Sequence, residues 1–208
     1  MIGREYFISG IDTNCGKTYI TGLLALKLLH EKKQVITTKL VQTGCKGISE
    51  DILEHRRLME FDVLPEDQSG KTCPFVFSFP ASPHLAARLE NKTVELSTVR
   101  NHIDQLKNNY EIILSEGAGG LMVPISENYR IADYILEYKL PLILVSSSNL
   151  GSLNHTLLSL EWCKYNRVNL VCLVFNQFPD ADTTIADESY RYLKLFVENE
   201  FKSEGTAP

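Results

Sequence analysis

The residues best suited to chemistry lie near the start of the chain, in the segment ISGIDTNCGKT. It ends in Gly16-Lys17-Thr18, and five residues separate Gly10 from Gly16. A short apolar run precedes it and a helical pattern follows, so backbone N–H groups and the positive helix end can cradle an anion. Lys17 can reach phosphate oxygens, and Thr18 can offer its hydroxyl to Mg²⁺. The segment predicts a phosphate-binding loop rather than a chance Gly-Lys-Thr.

Three further charged residues lie close to predicted strand ends or helix starts. Lys39 ends the second predicted strand, Glu116 follows the strand at 110–115, and Asp51 lies at a helix start. Ligands of open α/β sheets bind beyond the carboxyl ends of the strands, so these side chains are expected to face one cleft. Glu116 and Asp51 would complete a Mg²⁺ site with Thr18. The alternatives are an exposed strand-end lysine for Lys39 and a helix N-cap for Asp51.

Two polar helix starts are open to two interpretations. Ser82-Pro83-His84 and the segment 149–155 could each hold a carboxylate through helix-end N–H groups, or could be routine caps. Cys15, inside the phosphate loop, is better explained as a small buried filler than as a nucleophile. His84 and His155 lack partners at metal-ligand spacing, so no structural metal site is expected.

The elements that must position these residues alternate between apolar strands and helices. Runs such as LPLILV and NLVCLVF lack in-out alternation, which is typical of strands buried on both faces of a parallel sheet. The pattern predicts an α/β, doubly wound, mainly parallel sheet with helices on both faces. The predicted strands are 5–9, 34–39, 110–115, 140–146 and 168–175. The predicted helices are 17–30, 50–61, 96–108, 131–138, 153–165 and 184–199, and another begins at Ser82-Pro83. A turn is predicted at 117–120, and 65–83 is mostly loop, broken by the apolar run 75–77.

Length and composition set the broad class. The 208 residues predict a single domain, 1–208, with a frayed tail at 202–208. A net charge of −5 argues against nucleic-acid or anionic-membrane partners. The longest apolar run is far shorter than the roughly 20 residues that span a bilayer. Five cysteines without a C-x-x-C pair, and no visible targeting segment, predict free thiols in a cytoplasmic setting.

Several segments together resemble one family. They are GIDTNCGKT, TKLVQTG, SPH, SEGAGGLMVPIS, LPLILVSSSNLGSLNH and LVFNQ, and they extend from about residue 5 to 180. In these segments and their order the chain resembles the dethiobiotin synthetases, which have a P-loop NTPase-like fold. The Gly-x-Asp-Thr-x-x-Gly-Lys-Thr form, with its additional residue, is specific to this family and its close relatives.

The resemblance implies an ATP- and Mg²⁺-dependent reaction of CO₂ with 7,8-diaminononanoate, by way of a carbamate and its mixed anhydride with phosphate. It also implies a homodimer with the active site at the interface, where the segment 150–155 of one subunit binds the substrate carboxylate of the other. The residues implied are Lys17, Lys39 and Thr13 for catalysis; Asn14, Cys15, Gly16, Lys17, Thr18, Tyr19 and Asn176 for the nucleotide; Thr13, Lys39, Thr43, Gly117, Ala118, Gly119, Gly151 and Asn154 for the substrate; and Thr18, Asp51 and Glu116 for the metal.

The chain departs from the family pattern at three places. Asn14 stands where Glu is common, which puts a metal or nucleotide role for this residue in doubt, and Leu40 replaces a common Pro. The family usually continues past the last helix with a strand and loop that help enclose the adenine, and no such segment follows here. We therefore expect looser base selection, with other nucleoside triphosphates partly replacing ATP.

Other nucleotide-binding classes fit less well. Partitioning-type ATPases usually carry an additional Lys early in the phosphate loop, and residues 10–15 contain none. A GTPase switch needs Asn-Lys-x-Asp, whereas the chain has Asn176-Gln-Phe-Pro179. Amide-forming ligases that act on cobalamin precursors carry an additional glutaminase domain. A binding module with an inactive site is disfavoured because Lys17, Thr18, Lys39 and Glu116 are all present.

Overall fold

The computed structural model describes residues 3–178 and 182–201, so the predicted frayed tail lies outside the described residues. Along these residues strands and helices alternate, as predicted. The elements are β1 Arg4–Gly10, α1 Lys17–His30, β2 Val35–Lys39, β3 Gln42–Thr43, α2 Glu50–Leu58, α3 Pro65–Gln68, β4 Val76–Phe77, α4 Pro83–Leu89, α5 Leu96–Leu106, β5 Ile112–Gly120, β6 Pro124–Ser126, β7 Tyr129–Arg130, α6 Ile131–Glu137, β8 Leu142–Ser147, α7 Ser152–Tyr165, β9 Leu170–Asn176 and α8 Thr183–Glu200.

The central sheet has five strands in the order β2-β5-β1-β8-β9, and every neighbouring pair is parallel. Successive residues of a strand face opposite sides of the sheet. Phe7 and Leu144 belong to a large apolar cluster with helices α5 to α8, whereas Ile8 and Val145 belong to a second cluster with α1. Helices therefore cover both faces, which confirms the predicted doubly wound α/β class.

The strand β9 differs from its prediction. Its apolar sequence was expected to be buried on both faces, but Val171 is 47% exposed and Cys172 is also exposed. Within the part of the chain that the structure describes, the strand lies at the edge of the sheet and has β8 as its one neighbour. Continuous hydrophobicity predicts a strand but does not say where in the sheet the strand lies.

The glycine-rich segment after Glu116 is also different. Residues 117–120 were predicted to form a turn, yet they are the last four residues of β5, which pairs with β1 as far as Gly10 opposite Gly120 after a register shift between Ile8 and Gly10. That prediction was wrong because glycines within a strand can mark a bulge or a close backbone approach as well as a turn. Glu116 consequently lies inside the strand and not after it.

Small elements surround the carboxyl end of the sheet. The predicted loop at 65–83 contains the short helix α3 and the strand β4, which pairs in parallel with β3. The strands β6 and β7 form an antiparallel pair that the sequence did not indicate.

All five cysteines lie within the described residues and are free thiols. In the described part of the chain, none of the helices combines the length and apolarity needed to cross a membrane.

Candidate active site

The phosphate loop connects the end of β1 to the start of α1. Gly16 adopts φ 93°, and a Cβ there would lie 2.1 Å from Nδ2 of Asn176, so any larger residue would clash. Asn14 has φ 62°, a left-handed conformation that Asn tolerates better than most residues. Lys17 is the first residue of α1, so its side chain and the helix-end N–H groups face the same cavity.

Lys17 is a buried cation without a carboxylate at hydrogen-bond distance among the described residues. Its Nζ donates to the carbonyl oxygen of Asp12 at 2.8 Å and lies 3.9 Å from Sγ of Cys15. Burial lowers the pKa of Lys17, because the charged form loses solvation. An anion next to Lys17 would restore that lost stabilisation.

Lys39, in contrast, is held between two carboxylates. Its Nζ lies 2.5 Å from Oδ2 of Asp51 and 2.7 Å from Oε1 of Glu116, and it also donates to the carbonyl oxygen of Gly117 at 3.0 Å. The pairing follows from the sheet, since Lys39 of β2 is the register partner of Glu116 of β5. Because Lys39 is only 5% exposed, the alternative of an exposed strand-end lysine is wrong.

The charges at this pair shift the pKa of both partners. Burial alone would lower the pKa of Lys39, but Glu116 and Asp51 outweigh it and hold that pKa above its ordinary value. Burial alone would raise the pKa of Glu116, but the charge of Lys39 and the contact with His55 hold it well below the ordinary range. Glu116 is therefore ionised near neutral pH.

The three predicted metal ligands converge on one another. Thr18 donates through Oγ1 to Oε1 of Glu116 at 3.1 Å, and Glu116 and Asp51 share the ammonium of Lys39. The N-cap of α2 is Ser49, whose side chain accepts from the N–H of Ile52, so the capping alternative for Asp51 is wrong.

This donor set fits Mg²⁺ bound together with a nucleotide. Within residues 3–178 and 182–201, no cluster of three or more His, Cys, Asp or Glu side chains could form a protein-only metal site. Mg²⁺ commonly binds one or two carboxylates together with water and substrate phosphates. Thr18, Asp51 and Glu116 offer two carboxylates and a hydroxyl beside the phosphate loop.

His55 is a residue of this site that the sequence reasoning missed. It is fully buried, and its Nε2 lies 2.8 Å from Oε2 of Glu116, while its Nδ1 lies 3.1 Å from Oγ1 of Thr37. A signal was available, because His55 follows Asp51 by four residues and residues at i and i+4 share a helix face. The helix α2 thus delivers both residues to the end of β5.

A buried ion pair stands behind His55. Arg56 donates to both carboxylate oxygens of Asp67 at 2.9 Å and to Oγ1 of Thr37 at 2.8 Å. Because Thr37 accepts from Arg56, its own hydroxyl hydrogen can be donated to Nδ1 of His55. The hydrogen on Nε2 then points at Glu116, so the chain of hydrogen bonds ends on a proposed metal ligand.

A cavity of about 810 Å³ opens over this cluster. It is bounded on one side by the phosphate loop and on another by residues 80–83, at the start of α4. Most of the predicted site residues line it, which brings together parts of the chain more than 100 residues apart. Those lining the cavity are Thr13, Asn14, Gly16, Lys17, Thr18, Tyr19, Lys39, Thr43, Asp51, Glu116, Ala118, Gly119 and Asn176.

Four predicted residues do not line the cavity. Cys15 has a buried side chain, though its carbonyl oxygen accepts a hydrogen bond from Asn176. Gly117 contributes its carbonyl oxygen to Lys39. Gly151, the N-cap of α7, and Asn154 are exposed away from the cavity, and their predicted role concerns the site of a second subunit.

The chain is similar to known proteins over most of its length. The sequence profile of the AAA domain matches residues 4–202. The ATP-dependent dethiobiotin synthetase BioD 2 of Pasteurella multocida is 44% identical, over 95% of this chain and 92% of that protein. The BioD 2 protein of Haemophilus influenzae is 48% identical over 87% of this chain and 95% of its own length. The dethiobiotin synthetase BioD of Chlorobaculum tepidum is 47% identical over 89% of this chain and 78% of its own length.

Among solved structures, a ParA family ATPase from Chlorobium tepidum superposes with a TM-score of 0.53 at 16% identity, over 92% of this chain and 81% of that one. At this identity the likeness concerns the fold alone, and it confirms the predicted P-loop NTPase-like fold. The sequence identities of 44–48% decide the family. The chain belongs to the ATP-dependent dethiobiotin synthetases, ligases of biotin biosynthesis.

Proposed function

We propose that the chain converts ATP, CO₂ and 7,8-diaminononanoate into dethiobiotin, ADP and phosphate. One amine of the diamine attacks CO₂ and loses a proton, which gives a carbamate. A carbamate oxygen then attacks the γ-phosphorus of ATP, and the bond to the β–γ bridging oxygen breaks to release ADP. The second amine attacks the carbonyl carbon of the resulting mixed anhydride, phosphate leaves, and the cyclic urea closes.

One observation carries this proposal: two buried lysines with different partners line one cavity. Lys17 lies in the phosphate loop without a carboxylate partner and is suited to the transferring phosphoryl group. Lys39 is paired with Asp51 and Glu116 and lines the same cavity as Thr43 and Ala118. Two cations suit a reaction in which both a phosphoryl group and a carbamate carry negative charge.

The remaining predicted contacts belong to the same proposal. Thr13 and Gly119 lie close to each other, since a Cβ at Gly119 would be 3.6 Å from Oγ1 of Thr13, and both would meet the diamine or its carbamate. Thr18, Asp51 and Glu116 would hold Mg²⁺. When bound, the ion would neutralise phosphate oxygens of the nucleotide.

We also propose a homodimer that works in the cytoplasm. Leu158 and Tyr165 are 64% and 89% exposed, and their spacing of seven residues places them along one apolar side of α7. Leu150, which precedes the helix, is 87% exposed. A second copy of the chain would cover this apolar side and bring its Gly151 and Asn154 to the neighbouring site. The five free thiols are compatible with a reducing compartment.

The reaction is tested by a coupled assay of ADP release with 7,8-diaminononanoate, bicarbonate and Mg²⁺. ADP release should require the diamine, and dethiobiotin should appear in equal amounts by mass spectrometry. ADP release that continues unchanged without the diamine would contradict the proposed reaction and favour a simple ATPase.

The two lysines are tested by single substitution. Lys17→Met and Lys39→Met should each lower kcat by about 100-fold or more, because each removes a cation that meets developing charge. Lys33→Met, at an exposed lysine just before β2, is the matched control and should leave kcat unchanged. Near-normal turnover in Lys39→Met would remove Lys39 from the catalytic group.

A further inference from the structure

An exposed aromatic pair lies at one end of the cavity. Tyr19, in the first turn of α1, and Phe178, just after β9, stack with ring centroids 5.9 Å apart and planes inclined by 25°. Both rings line the cavity, and their residues are 40% and 69% exposed. A single exposed apolar residue is ordinary. The two rings stack on each other, so each covers one face of its neighbour, and a further ring can stack on an outer face of this pair, which we call the aromatic wall.

The position of this wall fits the base of a nucleotide. Tyr19 directly follows Thr18, so the wall begins where the phosphate loop ends. The side of the cavity that carries Lys39, Asp51 and Glu116 is where the γ-phosphoryl group must meet its acceptor. The nucleoside extends away from that side, and Tyr19 and Phe178 are the aromatic residues among those described that line the cavity.

Asn176 has no free amide hydrogen for a base. Its Nδ2 donates to the carbonyl oxygens of Cys15 and Phe178, both at 3.1 Å, and its Oδ1 accepts from the N–H of Phe178 at 3.1 Å. Both amide hydrogens are used, and the residue is 7% exposed. Asn176 thus joins the phosphate loop to the segment that carries the Phe178 ring.

We infer that the nucleobase is held by stacking on the Phe178–Tyr19 pair, and that Asn176 is a positioning residue for this wall rather than a reader of the base. Every base has a π-face, so stacking tolerates purines and pyrimidines alike. The site therefore discriminates weakly between ATP, GTP and CTP. The inference depends on the proposed function only in that the cavity binds a nucleoside triphosphate.

The test is calorimetric binding of ATP, GTP, CTP and inorganic tripolyphosphate, which has no base, with Mg²⁺ present. Phe178→Ala and Tyr19→Ala should weaken binding of all three nucleotides about tenfold, the loss expected when a stacking ring is removed. Binding of tripolyphosphate should change less than about twofold in the same variants, since its phosphate contacts remain.

Two further variants separate stacking from general effects. Phe178→Tyr keeps an aromatic face and should recover most of the affinity lost in Phe178→Ala. Phe61→Ala removes a 42% exposed ring outside the cavity and should leave nucleotide binding unchanged.

Three results would overturn the inference. The first is that Phe178→Ala binds the nucleotides as tightly as the unsubstituted protein, and the second is that it loses as much affinity for tripolyphosphate as for the nucleotides. The third is a preference of the unsubstituted protein for ATP above about 100-fold, which hydrogen bonds that read the base would produce. ADP release without the diamine would contradict the proposed synthetase reaction but leave the stacking inference intact. Absence of binding for all three nucleotides would overturn both.

Discussion

At the scale of single residues, the two buried lysines differ in what neutralises them. The charge of Lys39 is neutralised within the protein, because carboxylate oxygens of Asp51 and Glu116 lie 2.5 and 2.7 Å from its ammonium nitrogen. Among the described residues Lys17 contacts the carbonyl oxygen of Asp12 and Sγ of Cys15 but no carboxylate at hydrogen-bond distance, and burial lowers its pKa. The electrostatics thus favour an incoming phosphate at Lys17. At Lys39 they fix the carboxylates proposed to hold Mg²⁺.

His55 is expected to orient Glu116, one of the two carboxylates proposed to hold Mg²⁺. His55→Leu removes the hydrogen bond to Oε2 of Glu116 and should weaken Mn²⁺ binding, measured by electron paramagnetic resonance with ADP present, about tenfold or more. His55→Gln keeps a donor of similar reach and should retain most of the affinity. Unchanged Mn²⁺ binding in folded His55→Leu would limit His55 to a packing role.

Glu116 is expected to make stability depend on acid. Its pKa is lower in the folded state than in the unfolded state, so its stabilisation is complete above about pH 5 and is lost as the pH falls. The loss should be about 1.4 kcal/mol for each pH unit below roughly 4.3, the ordinary pKa of Glu. Glu116→Gln has no carboxyl group at this position, so its stability lacks this dependence on pH. Urea unfolding at pH 7 and pH 3 should show the difference between the two proteins shrinking in acid, and a constant difference would contradict the assignment.

At the scale of elements, the short helix α2 connects the site to the core. One side carries Asp51 and His55 to Lys39 and Glu116, and Arg56 forms the buried pair with Asp67. The start of the helix is fixed by Ser49, which accepts from the N–H of Ile52 and donates to Gln42 at 2.7 Å. Small shifts of this one helix would move Asp51, a proposed metal ligand, together with His55, the hydrogen-bond partner of Glu116.

Loss of the α2 cap should therefore affect both stability and metal binding. Ser49→Ala should lower the free energy of unfolding by about 1 kcal/mol, as expected for an N-cap, and also weaken Mn²⁺ binding. Asp182→Ala is the matched control, because Asp182 caps α8 through the N–H groups of Thr184 and Ile185. It should cost similar stability without changing Mn²⁺ binding. Equal effects of the two variants on Mn²⁺ binding would contradict a special role for α2.

At the scale of the whole molecule, the cavity contains most but not all of the predicted substrate contacts. Gly151 and Asn154 lie at the start of α7, the helix that carries the exposed Leu158 and Tyr165, and the exposed Leu150 directly precedes Gly151. Within one chain these residues do not reach the cavity. A dimer formed through α7 is the arrangement in which they could contribute to it.

The dimer is tested by mixing two inactive variants. Lys39→Met damages the part of the site from one subunit, and Asn154→Ala damages the part from the other. A dimer of one variant with the other has one intact site of two, and random exchange makes half of the dimers mixed. Mixing should therefore restore about a quarter of full activity. Leu158→Glu should convert the protein to a monomer in light scattering and abolish that recovery. No recovery from mixing variants that do form dimers would contradict a shared site.

Much of the site was predictable because it lies at the ends of parallel strands. Lys17 and Thr18 are adjacent in sequence and follow a strand, so their common direction is a local property of the chain. Lys39 and Glu116 were also predicted correctly to share a cleft, since parallel strands end on the same edge. Their direct contact depends on the exact register of β2 on β5, which hydrophobic runs do not specify.

The sequence by itself determined the fold class, the phosphate loop and the resemblance to a family, because strand and helix periods and loop spacing are local properties of the chain. Only the tertiary structure decided that Glu116 lies inside β5, that β9 is an edge strand, and that His55 contacts Glu116. The last contact joins residues 61 positions apart. Such contacts depend on strand order, register and helix placement, which are set by packing of the whole core.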